Sequence, residues 1–166
     1  MTTPTTTRIL SALGFEGARV HVTVCGDERI RALNKAHRGL DRATDVLAFP
    51  QEHLREGRFV RRSPAADAWR ARKRKRCGVR GAGCEMRQER RAMNPAPRTL
   101  ELDLGDVVIS RDAVARQARE YRVSEAEEWT RLIVHGVLHL LGWDHARPGE
   151  RARMRGLENR LVVEVM

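Results

Sequence analysis

The sequence predicts an α+β domain in which a small mixed β-sheet carries packed helices, one of them central. Three observations predict it. Short stretches such as Val20 to Cys25 alternate apolar and polar residues, as half-buried strands do. Longer stretches repeat their apolar residues at three and four, as amphipathic helices do. The two kinds follow one another as helix, strand, helix, strand, strand, helix, helix, helix, an order that suggests an α+β layer arrangement.

In chain order, a short amphipathic helix is expected from about Thr7 to Leu13, closed by Gly14. Val20 to Cys25 is the first strand. Asp27 is placed to cap a helix over ERIRALNKAHR, where Ile30, Leu33 and Ala36 fall at helical spacing. Arg38 ends that helix and Gly39 follows, so the guanidinium emerges at a turn. Thr44 to Phe49 reads as a strand stopped by Pro50. Leu100, Leu102 and Leu104 alternate ahead of the apolar Val107 to Ile109, which predicts a strand kinked or bulged at Gly105. Asp106 sits at that kink, either aimed at the central helix or accepting backbone N–H groups in a turn. Ser110 caps a helix through about Tyr121, and Ser124 with Glu127 forms a capping box for the long helix that follows. The apolar face of that long helix includes Trp129, Leu132, Ile133 and Val137. Pro148 opens a last helix, in which Met154, Leu157, Leu161 and Val165 form a packing stripe.

At 166 residues the chain has room for one domain with its own core, residues 1–166. No apolar run is long enough to span a membrane, and the first residues lack the charged and apolar regions of a secretory signal. Three cysteines are too few and too odd in number for a disulfide framework, which points to an intracellular protein. The net charge is +10, and it belongs to one segment. Residues 55–98 hold 15 Lys or Arg against four acidic residues, so the rest of the chain is nearly neutral. Residues 54–99 have no helix or strand pattern and read as a basic, disordered insertion. Such a segment neutralises phosphates without reading sequence; a localisation patch or a functionless solvated insertion has the same composition.

The chemistry concentrates between Arg131 and His145, where three of the six histidines lie in an apolar run. His135 and His139, four apart on a helix, project from one face as a chelating pair. Gly142 can end the helix and turn the chain so that His145 reaches the same ion. Three protein ligands leave a coordination position open, as catalytic zinc requires. The spacing H-x-x-x-H-x-x-G-x-x-H is that of the metzincin metalloproteases, but their general-base Glu is here Gly136. The spacing therefore supports a metal and argues against peptide hydrolysis. Glycine inside a helix costs about 1 kcal/mol relative to Ala, so a close-packed element or a bulky substrate needs that space.

HGVLHLLGWDH resembles the signature of the YbeY family of metal-dependent, single-strand-specific endoribonucleases. NKAHRGLDRATDVLAFP and LGDVVIS agree with it, in the family's order. The resemblance implies one Zn2+ on His135, His139 and His145, and a catalytic Arg38 engaging the phosphate. It also implies action on single-stranded ribosomal RNA with the small ribosomal subunit, in maturation at the 16S 3′ end and in ribosome quality control. The expected location is the cytoplasm, or an organelle for a eukaryotic source. Asp106 and Asp144 are candidate bases, Asp144 more naturally a residue that orients a ligand histidine. A ribosome-assembly factor with a structural zinc, or a metal-dependent hydrolase of another substrate, are the alternatives.

Overall fold

The computed structural model describes residues 3–52, 54–59, 102–145 and 148–166. Among these residues the chain forms five helices, a three-stranded mixed sheet and a separate two-stranded hairpin. The helices are α1 (Pro4–Ala12), α2 (Asp27–Arg38), α3 (Arg111–Tyr121), α4 (Glu125–Leu140) and α5 (Pro148–Val165). The strands are β1 (Arg19–Cys25), β2 (Val46–Pro50), β3 (Leu54–Arg55), β4 (Arg58–Phe59) and β5 (Asp103–Ser110). None of the described helices is long and apolar enough to cross a membrane.

β5 is the middle strand of the sheet, parallel to β1 and antiparallel to β2. Arg19 pairs with Asp103 and Val20 with Gly105, so Leu104 is the extra residue of a bulge at the expected place. Gly105 has φ +124°, and a Cβ there would strike the carbonyl oxygen of Phe49 on β2, so the bulge requires glycine.

α4 lies on one face of this sheet and touches α1, α3 and α5 as well, which makes it the central helix. Val107 and Ile109 of β5 join Val134, Val137 and Leu138 of α4 in the main core. Val108 points to the opposite face, against Ile30 of α2 and Leu47 of β2. Met154, Leu161 and Val165 of α5 are buried in the main core, with Leu157 packed against it, as their spacing predicts.

The ends of several elements differ from expectation for identifiable reasons. α1 begins at Pro4, because Thr3 accepts a hydrogen bond from the Thr6 N–H and proline suits the first helical turn. Gly26, not Asp27, is the N-cap of α2. The Asp27 carboxylate is taken up elsewhere, accepting from the Ser110 hydroxyl at 2.5 Å and from Arg116 at 2.6 Å. Residues 54–59, expected to begin a patternless insertion, form the β3–β4 hairpin around Glu56 and Gly57, both at positive φ. The remainder of the expected insertion, from residue 60 onward, lies outside the described residues.

Candidate metal centre

α4 starts with the expected capping box: the Ser124 hydroxyl accepts from the Glu127 N–H at 3.1 Å, and the Glu127 carboxylate accepts from the Ser124 N–H at 2.8 Å. Glu125, Glu127 and Glu128 place negative charge at the positive end of the helix dipole. At its other end Gly142 has φ +77°, and a Cβ there would run into the carbonyl oxygen of Leu54. The hairpin clasps this turn: the Gly57 N–H donates to the Leu141 carbonyl at 2.8 Å and the Glu56 N–H to the Gly142 carbonyl at 3.2 Å. An Arg153–Glu56 ion pair at 2.9 Å ties the hairpin to α5. The chain thus reverses after α4 and brings His145 back over the helix.

The result is a three-imidazole cluster. Potential ligand atoms of His135, His139 and His145 all lie within 4.8 Å of one another. Nε2 of His135 is 3.1 Å from Nε2 of His139. Zinc–nitrogen bonds of about 2.0–2.1 Å at a tetrahedral angle set two nitrogens about 3.3 Å apart, so the pair fits a shared divalent ion. Burial holds the His139 pKa down at about 4, and the neighbouring His135 and His145 push it the same way. Asp144 and a hydrogen bond with the Trp143 backbone act in the opposite sense. The net shift favours neutral imidazole, the form that ligates a cation.

The cluster opens into a cavity of about 810 Å³. One wall carries the three histidines with Gly142, Trp143 and Asp144. β2 lines the cavity as well, with His37 and Arg38 from the end of α2. Gly39, at φ +70°, ends α2 where Arg38 is exposed and lines this cavity. The His37 ring meets Phe49 edge-on, with centroids 4.9 Å apart.

Three carboxylates separate in role. Asp106 is not among the residues that line the cavity. Side chains alternate along β5, and its neighbour Val107 faces Gly136 of α4, so Asp106 projects from the other face. Asp144 does line the cavity, and its Oδ1 accepts from the backbone N–H of His145 at 2.7 Å. It therefore steadies the main chain of the third histidine. Asp45, not singled out by sequence reasoning, also lines the cavity and accepts from Thr44, the Val46 N–H and Gln117. The space at Gly136 is taken by a close-packed strand: a Cβ there would lie 2.5 Å from Val107 Cγ1.

Sequence reasoning also missed Glu158, whose Oε1 is 3.4 Å from Nδ1 of His135. The signal was present. Glu158 falls four residues after Met154 and three before Leu161, a carboxylate on a buried stripe.

Fold and site define a class: a small α+β protein whose three-histidine cluster has the donor set of a mononuclear metal centre and faces an open cavity. The profile of the family described as Endoribonuclease YbeY matches residues 4–165, and the chain belongs to that family. An Endoribonuclease YbeY of Aquifex aeolicus is 37% identical over 157 residues, covering 94% of this chain and 76% of its own. One from Geobacter metallireducens is 34% identical, covering 96% and 80%. One from an Anaeromyxobacter species is 36% identical over 92% of this chain, which spans only 57% of that relative. The solution structure of TM1509 from Thermotoga maritima superposes with a TM-score of 0.50 at 20% identity, covering 99% of this chain and 85% of that one, a likeness of fold. The family expected from the histidine-rich motif is the family found.

Proposed function

We propose that this protein is a zinc-dependent endoribonuclease that cuts single-stranded RNA in the maturation of ribosomal RNA, at the 16S 3′ end, and in ribosome quality control. Its partners in this reading are ribosomal RNA and the small ribosomal subunit, and its place is the cytoplasm. One observation carries the proposal: three imidazoles with ligand atoms within 4.8 Å share a cavity with Arg38, in a chain of the YbeY family.

His135, His139 and His145 would hold the ion, which when bound supplies Lewis-acid polarisation of a phosphate oxygen. Arg38 pairs the phosphate oxygens through its planar fork and offsets the negative charge that builds up at phosphorus during cleavage. Asp144 and the clasped turn hold His145 in reach of the other two imidazoles. Asp45, engaged by three donors, shapes the wall on which the substrate backbone lies. A nucleotide splayed from a single strand can enter such a cavity, whereas a paired base is held within its stack.

The test is cleavage of a single-stranded RNA and of its duplex by the parent and by His139→Ala, with metal content measured on both. The expected result is about one zinc per parent chain, cleavage of the single strand only, and loss of both in the variant. A parent that binds metal and cuts neither RNA would overturn the enzyme reading in favour of an assembly factor.

A further inference from the structure

We infer that Glu158 is a positioning residue that holds His135 in the tautomer and orientation of a metal ligand. The inference rests on the three-histidine metal centre and deepens it.

The two nitrogens of the His135 ring face different partners. Nε2 is turned to the other imidazoles, 3.1 Å from Nε2 of His139. Nδ1 lies 3.4 Å from Oε1 of Glu158, a residue outside the cavity lining. A neutral imidazole carries one N–H, and the nitrogen that lacks it offers the lone pair to a cation. A carboxylate beside Nδ1 draws the proton there and leaves Nε2 free to ligate. The same contact sets the angle of the ring and increases the basicity of the donor nitrogen.

The carboxylate is held firmly enough to do this. Glu158 lies on the core-facing stripe of α5, between Met154 and Leu161, which are 2% and 3% exposed. Its own side chain is 16% exposed and that of His135 26%. A carboxylate at such a position is unfavourable unless it finds a partner, and His135 is within ion-pair distance. Glu158 does not line the cavity, so it acts through the histidine and not on the substrate. α5 thereby becomes part of the metal centre without supplying a ligand.

Two variants separate this role from packing. Glu158→Met keeps the volume and removes the acceptor; Glu158→Gln keeps an acceptor oxygen and removes the charge. Long-range 1H–15N spectra of the metal-free proteins report the His135 tautomer, and competition with a chromophoric chelator reports zinc affinity. The parent is expected to hold the proton on Nδ1, E158Q to retain that form, and E158M to shift it towards Nε2. Zinc affinity should fall about 10–100-fold in E158M and by less in E158Q.

The inference is overturned if E158M keeps the Nδ1–H form and binds zinc within about twofold of the parent, against the loss that outer partners of a ligand normally cause. Should E158M fail to fold, E158Q decides: undiminished zinc affinity overturns the inference, and a reduced one supports it. A parent that binds no zinc would overturn the metal centre together with Glu158's part in it. Zinc binding by the parent and E158M alike would overturn Glu158's part alone.

Discussion

Gly136→Ala tests whether the helix that bears the histidines is fitted to the sheet at that glycine. An ideal Cβ at residue 136 would lie 2.5 Å from Val107 Cγ1 and 3.0 Å from Cγ2. Ordinary carbon–carbon contacts are about 3.5–4.0 Å, so α4 or β5 must give way by about 1 Å. Overpacking of this kind costs about 1–3 kcal/mol, and the better helix propensity of Ala returns up to about 1 kcal/mol. Set against that return, the expected net loss is about 0–2 kcal/mol, or a fall in melting temperature of up to about 8 °C for a chain of this size. Val107→Ala alone leaves a void and costs about 2 kcal/mol. Combined with Gly136→Ala it removes the clashing methyls, so the two changes should couple favourably by about 1 kcal/mol or more. Thermal melts of the parent, both single variants and the double variant, in chelator, measure this. Additivity of the two changes within about 0.5 kcal/mol would refute the fitted contact.

Two further predictions concern the neighbouring supports. Gly142→Ala forces a residue with a Cβ into φ +77° against the Leu54 carbonyl, so it should destabilise by at least about 1–2 kcal/mol. By displacing the turn before His145 it should also weaken zinc binding, measured by chelator competition; unchanged affinity would show that the turn does not place the third histidine. The Asp27 carboxyl is held below its usual pKa by the Arg116 hydrogen bond and then by Ser110. Its pKa is lower in the folded than in the unfolded chain, so its contribution is present above about pH 4 and lost as pH falls through the folded value. Asp27→Asn should therefore cost about 1 kcal/mol at pH 7, discounted for the partly exposed Arg116 pair, and the gap should narrow below about pH 4. Urea titrations at pH 7 and pH 3 check this, and a pH-independent gap would contradict it.

What the sequence determined by itself is what local geometry carries. The Ser124–Glu127 capping box, the Gly39 and Gly142 helix ends, the His135–His139 pair and the α5 stripe all depend on residues within a turn or two of one another. Helical period and capping chemistry make such features readable without knowing what lies opposite. The bulge at Gly105 was readable for a related reason, since a glycine interrupting an apolar run marks a backbone that must bend. Tertiary structure decided the features whose partners are far apart in the chain. Pairing of β1 with β5 crosses more than 80 residues, and it alone settled that Val107 faces α4 and Asp106 turns away. Asp27 gave up its cap for Ser110 and Arg116, residues brought beside it by that same pairing. The β3–β4 hairpin is stabilised by a helix end some 85 residues later, so its own short, charged sequence carried no strand signal. Arg38 shares a cavity with the histidines, and Glu158 meets His135, only because the packing brings α2 to that cavity and α5 against that helix. Period and caps are written into neighbouring residues, while the choice of face and partner is made by the packing of the whole core.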